Sequence, residues 1–168
     1  MNINALNAAV IAGMMKASKP AMNMVSAPVA ARDRGIQVAT THQDQQGIFE
    51  GYIKVTVVTA ERERSIAGTV FSDGKPRFIQ IRGINIEAEI GAHMLYTRNR
   101  DVPGVIGMLG TILGDLGVNI ANFTLGRNHP GDDAIALLYL DEKISPEAVS
   151  ALKDSGKFLQ VKPMHFEL

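Results

Sequence analysis

The stretch Asn99-Arg100-Asp101-Val102-Pro103-Gly104 carries the sharpest chemical signal in the sequence. It sets polar side chains at the exit of a strand and leads into a helix whose first N–H groups have no intrahelical acceptor, a ready place for a carboxylate. Asp101 offers the opposite capacity, because a carboxylate accepts hydrogen bonds from an ammonium group. Donors and an anionic acceptor this close together match a zwitterion, that is, a free amino acid. Taken alone, capping the helix is the commoner use of such an aspartate. Asn119, in Val118-Asn119-Ile120-Ala121, stands where the same helix gives way to the next strand. Its amide holds donors and an acceptor together and suits either end of an amino acid; a plain turn asparagine is the competing reading.

Much other chemistry is excluded by composition. The chain has 17 basic and 17 acidic residues among 168, so it has no basic excess with which to displace the counterions of a nucleic acid. With no cysteine, disulfide frameworks, thiolate zinc sites, iron–sulfur clusters and a cysteine nucleophile all fall away. His42, His93, His129 and His165 show no i, i+3 or i, i+4 pairing and indicate no metal centre. The glycines within residues 103–117 invite a phosphate-loop reading, but form neither Gly-x-Gly-x-x-Gly nor Gly-Lys-Ser/Thr. Gly107, Gly110 and Gly114 fall at helical spacing instead. Each interior glycine costs about 1 kcal/mol relative to alanine, which implies that close packing of another backbone, or a ligand at the helix start, compensates, with close packing favoured at Gly110 and Gly114.

The elements that must hold these residues follow from periodicity. An apolar content of 46% with 20% charged residues is that of a globular chain with its own core. The apolar run over residues 6–15 has no preceding basic residue and is well short of the ~20 residues that cross a bilayer. Ile3, Leu6, Val10 and Met14 at helical spacing predict an amphipathic opening helix of a soluble, cytoplasmic protein. A second helix is expected over residues 23–34, closed by Gly35, and strands over 35–41, 52–59, 64–71 and 77–84. Asp73-Gly74 is expected to turn a tight hairpin with both central residues at positive φ.

This first piece, residues 1–90, reads as an antiparallel sheet with helices on one face. Residues 91–168 read β-α-β-β-α-β. The expected order is strand 92–99, helix 103–117 with Pro103 in first position and Gly117 closing it, strands 118–126 and 134–140, a helix capped by Ser145, and strand 157–167. Pro163 cannot donate to a ladder and belongs at a sheet edge. The strand order 4-1-3-2 of a ferredoxin-like sandwich puts the last strand there. The fold class is α+β.

The run Arg98-Asn99-Arg100-Asp101-Val102-Pro103-Gly104-Val105-Ile106, followed by Gly117-Val118-Asn119-Ile120-Ala121-Asn122-Phe123, resembles an ACT domain of the kind found at the C-terminus of D-3-phosphoglycerate dehydrogenases. Leu125-Gly126-Arg127 and Ala134-Ile135-Ala136-Leu137 fit the same family. Asn23-Met24-Val25-Ser26-Ala27-Pro28 and Arg32-Asp33-Arg34-Gly35-Ile36 resemble its intervening, allosteric-substrate-binding domain. The resemblance covers essentially the whole chain.

The resemblance implies that L-serine binds between two ACT domains. Asp101 would hold the amine and hydroxyl, and Asn119, followed by Ile120, would come from across the interface. Asn99 falls where some members have histidine or tyrosine. Pro103, Gly104, Val105 and Ile106 form the turn that offers N–H groups to the carboxylate. Feedback regulation of serine biosynthesis and a homo-oligomer, dimer or tetramer, held through both domains follow from the same resemblance, as does NAD in a dehydrogenase parent. It also implies a possible anion site at Arg77, although Asn85 and Glu89 stand where a histidine and an arginine are expected.

The glycine fingerprint and the catalytic arginine, glutamate and histidine of such a dehydrogenase are not legible here. The expectation is therefore a regulatory fragment that holds no cofactor or metal, engages no nucleic acid or membrane, and catalyses nothing itself. Two rival readings are a ligand-independent oligomerisation module and the regulatory part of a serine dehydratase-type enzyme.

Overall fold

The computed structural model describes residues 2–16, 18–42, 49 and 51–167. The chain divides into two compact units, Met1–Gln46 and Gly47–Leu168.

The first unit holds two helices, α1 (Ile3–Lys16) and α2 (Ala27–Asp33). They close on a core of Ile11, Ala12, Met15, Met22, Ala27 and Ala31. This corrects the stripe read from the sequence: Ile3 and Met14 are exposed, whereas Ile11, Ala12 and Met15 are inside. Alanine at 12, 27 and 31 lets the two helices approach closely, which longer side chains would prevent. Helix α2 begins at Ala27, not near residue 23. The Asn23 side chain accepts from the N–H groups of Val25 at 3.0 Å and Ser26 at 2.9 Å, a local turn that competes with helix. Its end is as expected, with Gly35 at φ 69°. Residues 36–42 are irregular, correcting the strand expected over 35–41; Ile36 and Val38 are exposed and have no ladder to join.

The second unit opens with β1 (Ile53–Val58), β2 (Glu63–Val70), β3 (Pro76–Ile81) and β4 (Ile84–Glu89), an antiparallel sheet in sequential order. The single strand expected over 77–84 is therefore two, broken at Arg82-Gly83. These residues take φ of 55° and 78° between the facing pair Ile81 and Ile84, the two positive values that a two-residue type I′ turn requires. At Asp73-Gly74 only the glycine has positive φ, 77°. There Phe71 N–H donates to the Lys75 carbonyl at 3.0 Å, so the connection is a wider loop ending in glycine.

The ferredoxin-like part follows as β5 (His93–Arg100), α3 (Val105–Asp115), β6 (Ile120–Arg127), β7 (Asp133–Leu140), α4 (Pro146–Asp154) and β8 (Phe158–His165). Its sheet runs β6-β7-β5-β8, the expected 4-1-3-2, with Pro163 on the edge strand opposite Leu95. Ser145 caps α4 by accepting from Ala148 N–H at 3.1 Å. The chain is thus α+β, with two antiparallel sheets and four helices among its described residues. The boundary expected near residue 90 falls at the β4–β5 connection, inside the second unit.

Both faces of the second sheet are covered. Ala136, Leu138 and Leu140 of β7 pack with Leu109, Leu113, Ala148 and Leu152 of the helices. The alternate residues Ile135 and Leu137 pack with Ile81, Ile84, Ile86 and Ala88 of the first sheet, together with Met94 and Tyr96. Two-sided burial explains why β7 reads as a nearly unbroken apolar run and does not alternate. Where the sheets approach, a Cβ at Gly126 would lie 2.6 Å from the Asn85 carbonyl oxygen. The close backbone approach expected along α3 occurs here instead within the chain. At Gly107, Gly110 and Gly114 an added Cβ would meet no atom within 4 Å, so within one chain this stripe faces open space.

Candidate functional site

The α3 N-terminus is built by its turn. Gly104 is the N-cap at φ 88°, and no side chain caps the helix. Pro103 consequently lies outside the helix and not in its first position. A left-handed N-cap suits glycine and leaves the first-turn N–H groups, beginning at Val105 and Ile106, without a side-chain acceptor. Val105 is 5% exposed and roots the turn in the core, while Ile106 is 52% exposed beside it.

Asp101 does not cap this helix. Its carboxylate accepts from the Arg127 guanidinium and from the Gly131 N–H at 3.3 Å. Its own N–H donates to the Asp132 carbonyl at 2.8 Å. The Arg127 hydrogen bond, helped by the Gly131 N–H, holds the Asp101 carboxyl below its ordinary value. The aspartate is therefore an anion a few residues before a helix terminus that no side chain caps, paired with a guanidinium that an incoming carboxylate can share.

Asn99 is 5% exposed and its amide donates to the Arg100 carbonyl at 2.7 Å. It braces the strand exit from inside. Asn119 is exposed and donates to the Asp141 carboxylate at 2.5 Å. Ile120 opens β6 opposite Leu140 and packs on the helix-side core. Asp101 lies at the Arg127 end of β6, and Asn119 precedes its other end. At about 3.3 Å per residue, the eight residues of β6 put them on the order of 25 Å apart. One chain brings together Asp101, Arg127 and the α3 N-terminus; it does not bring Asn119 to them. Arg127 and Asp141 are the partners that sequence reasoning missed, because β7 lies between β5 and β6 and the contacts join loops at sheet ends.

Arg77 is engaged elsewhere. Its guanidinium bonds both oxygens of Asp73 at 3.1 and 2.5 Å, stands 3.9 Å from Glu87, and lies 4.4 Å from the Phe71 ring centroid. Hydrogen bonding to Arg77, followed by the Lys75 N–H, holds Asp73 at about 2. Lys75 in turn pairs with Glu89 at 2.7 Å. An anion at Arg77 would have to displace a bidentate carboxylate. Among the described residues no three metal-binding side chains gather, and no helix is long and apolar enough to cross a membrane.

Residues 1–82 match the family described as the D-3-phosphoglycerate dehydrogenase intervening domain. The chain is 32% identical to a D-3-phosphoglycerate dehydrogenase of Synechocystis sp., over 90% of this chain and 27% of that protein. It is 30% identical to the enzyme of that name from Bacillus subtilis, over 84% of this chain and 27% of the relative. The one from Methanocaldococcus jannaschii is also 30% identical, over 79% of this chain and 25% of the relative. The chain thus spans about a quarter of the length of the curated relatives it matches. With an intervening-domain match at its start and a ferredoxin-like α+β sandwich after it, this chain belongs to the D-3-phosphoglycerate dehydrogenase family as a relative of its regulatory region.

Proposed function

We propose that the chain is the serine-responsive regulatory part of a D-3-phosphoglycerate dehydrogenase, with residues 1–90 as intervening domain and 91–168 as ACT domain. In this reading L-serine binds where the ACT sheets of two copies meet. The observation that supports it is the placement of Asp101 and Asn119 at opposite ends of β6, an edge strand. Antiparallel pairing of β6 with its copy sets the Asp101 end of one strand against the Asn119 end of the other. Each of two equivalent sites then combines one copy's Asp101 and α3 N-terminus with the other copy's Asn119.

The serine carboxylate would take the first-turn N–H groups and share Arg127, while its amine and hydroxyl go to Asp101 and Asn119. The open glycine stripe of α3 would let the two α3 helices approach on one side of the joined sheet. Serine would slow the parent enzyme by favouring one arrangement of subunits, a coupling typically of about 1–3 kcal/mol. NAD belongs to the parent enzyme in this reading.

A second reading is favoured by one specific observation. Asp101 is already paired with Arg127 and Asn119 with Asp141, as suits an association module that needs no amino acid. Titration calorimetry with L-serine, against D-serine and L-alanine, separates the two. The first reading expects stereospecific heat, lost or weakened about ten-fold or more in both Asp101→Ala and Asn119→Ala. Silence toward every amino acid from a chain that sediments as a dimer would leave the second.

A further inference from the structure

Asn119 does not have its whole amide free for a ligand. Its Nδ2 donates to an Asp141 carboxylate oxygen at 2.5 Å, and its backbone carbonyl accepts from the Asp141 N–H at 3.4 Å. The two residues stand one step beyond the facing pair Ile120 and Leu140 at the end of the β6–β7 ladder. An ionised carboxylate only accepts hydrogen bonds, so it decides which way the amide is turned. The nitrogen faces Asp141, and Oδ1 is left to meet a ligand. Both residues are exposed, and no basic side chain pairs with Asp141 among the described residues. Asp141 is thus an uncompensated negative charge held beside Asn119.

The other end of β6 has the opposite character. There Arg127 answers the charge of Asp101, and the uncapped first turn of α3 adds N–H donors. The Asn119 end offers mostly acceptors: Oδ1 and the two oxygens of Asp141, against one remaining amide hydrogen. A ligand held between the two ends meets donors for an anion on one side and acceptors for a hydrogen-bond donor on the other.

We infer that Asp141 positions the Asn119 amide and sets the specificity of the amino-acid site: it selects a ligand whose side chain donates a hydrogen bond, and a cationic donor above a neutral one. This rests on the serine reading, in which β6 pairs with its copy and carries Asn119 and Asp141 together toward the other copy's Asp101. The serine hydroxyl meets the requirement by donating. An ammonium in its place adds a charge-assisted bond to the unpaired carboxylate. A methyl side chain leaves the acceptors unmatched, and a carboxylate side chain is repelled. The ligand class is therefore a small L-amino acid with a donor on its β-carbon, L-serine or, bound more tightly, its amine analogue L-2,3-diaminopropionate.

The test is calorimetric titration of the 168-residue chain, at neutral pH and fixed ionic strength, with L-serine, L-2,3-diaminopropionate and L-aspartate. The parent should bind the diamino acid several-fold more tightly than L-serine and should not bind L-aspartate. Asp141→Asn keeps an acceptor for the Asn119 amide but removes the charge. In that variant L-serine should stay within about three-fold of the parent while the diamino acid weakens about ten-fold, which reverses their order. Asp141→Ala also frees the amide and should weaken both by about ten-fold. Melting midpoints well above the titration temperature show that the variants are folded. An unchanged ratio of the two affinities in Asp141→Asn overturns the inference and leaves serine binding, measured in the parent, standing. A parent that binds none of the three amino acids overturns the serine reading and this inference with it.

Discussion

Gly126 of β6 lies so close beneath the Asn85 carbonyl of β4 that the two sheets of the second unit touch backbone to backbone. An alanine there would set its Cβ 2.6 Å from that oxygen and 3.0 Å from Ile84 Cγ2. Backbone cannot swing aside as a side-chain tip can. Gly126→Ala should therefore cost about 1–3 kcal/mol, read as a lowered denaturant midpoint. A midpoint within error of the parent's would mean that the sheets separate freely.

The ion pair between Arg127 and Asp101 makes a pH prediction. The folded carboxyl titrates below the ordinary carboxylate range, chiefly because Arg127 donates to it. As acid is added, the unfolded chain takes up this proton first, so the contribution to stability is present above about pH 4 and is lost as pH falls through the depressed folded value. Carbon-detected NMR titration should find the Asp101 carboxyl below the ordinary range, and Arg127→Met should return it there. Loss of stability as pH falls below about 4 should be shallower in that variant.

The α3 glycines separate folding from association. Nothing within 4 Å would meet a Cβ at Gly110, and an exposed helix interior prefers alanine by about 1 kcal/mol. Gly110→Ala should raise the unfolding free energy of the monomer by about that amount. If α3 packs on its copy in the dimer, the same substitution weakens association by sedimentation equilibrium. A variant that is more stable and equally dimeric would exclude this stripe from the interface.

Ser145 is a simpler case. Its hydroxyl accepts from Ala148 N–H at 3.1 Å with extended φ and ψ. Ser145→Ala should cost about 1 kcal/mol with no change in binding of serine, because α4 takes no part in the proposed serine site. A loss of serine binding would tie α4 to that site.

The ferredoxin-like half was legible almost element by element, because its signals are local. Ser145-Pro146 starts a helix, Gly117 ends one at φ 72°, and Pro163 belongs on an edge strand, with its donorless nitrogen away from the ladder. The first half was harder for equally physical reasons. Asn23 could begin a helix or fold a turn over its own backbone, and the turn won. Asp73-Gly74 has the composition of a tight hairpin, yet the type I′ turn formed at Arg82-Gly83, where the pairing of Ile81 with Ile84 demanded it. At the candidate site, sequence identified Asp101, Gly104 and Asn119 as residue types able to hold an amino acid. It did not reveal that Arg127 would claim the aspartate, or that an eight-residue strand would stand between Asp101 and Asn119.

By itself, then, the sequence determined the β-α-β-β-α-β order, the α+β class and the chemical character of the strand-to-helix turn at residues 99–106, all of which rest on spacing and capping within a few residues. The tertiary structure decided which glycine is crowded, which face of α1 is buried, and that Arg127 reaches Asp101 across the end of β7. Those outcomes depend on which surfaces meet. Packing two sheets face to face sets the positions of residues dozens apart in the chain, and local spacing holds no record of that distance.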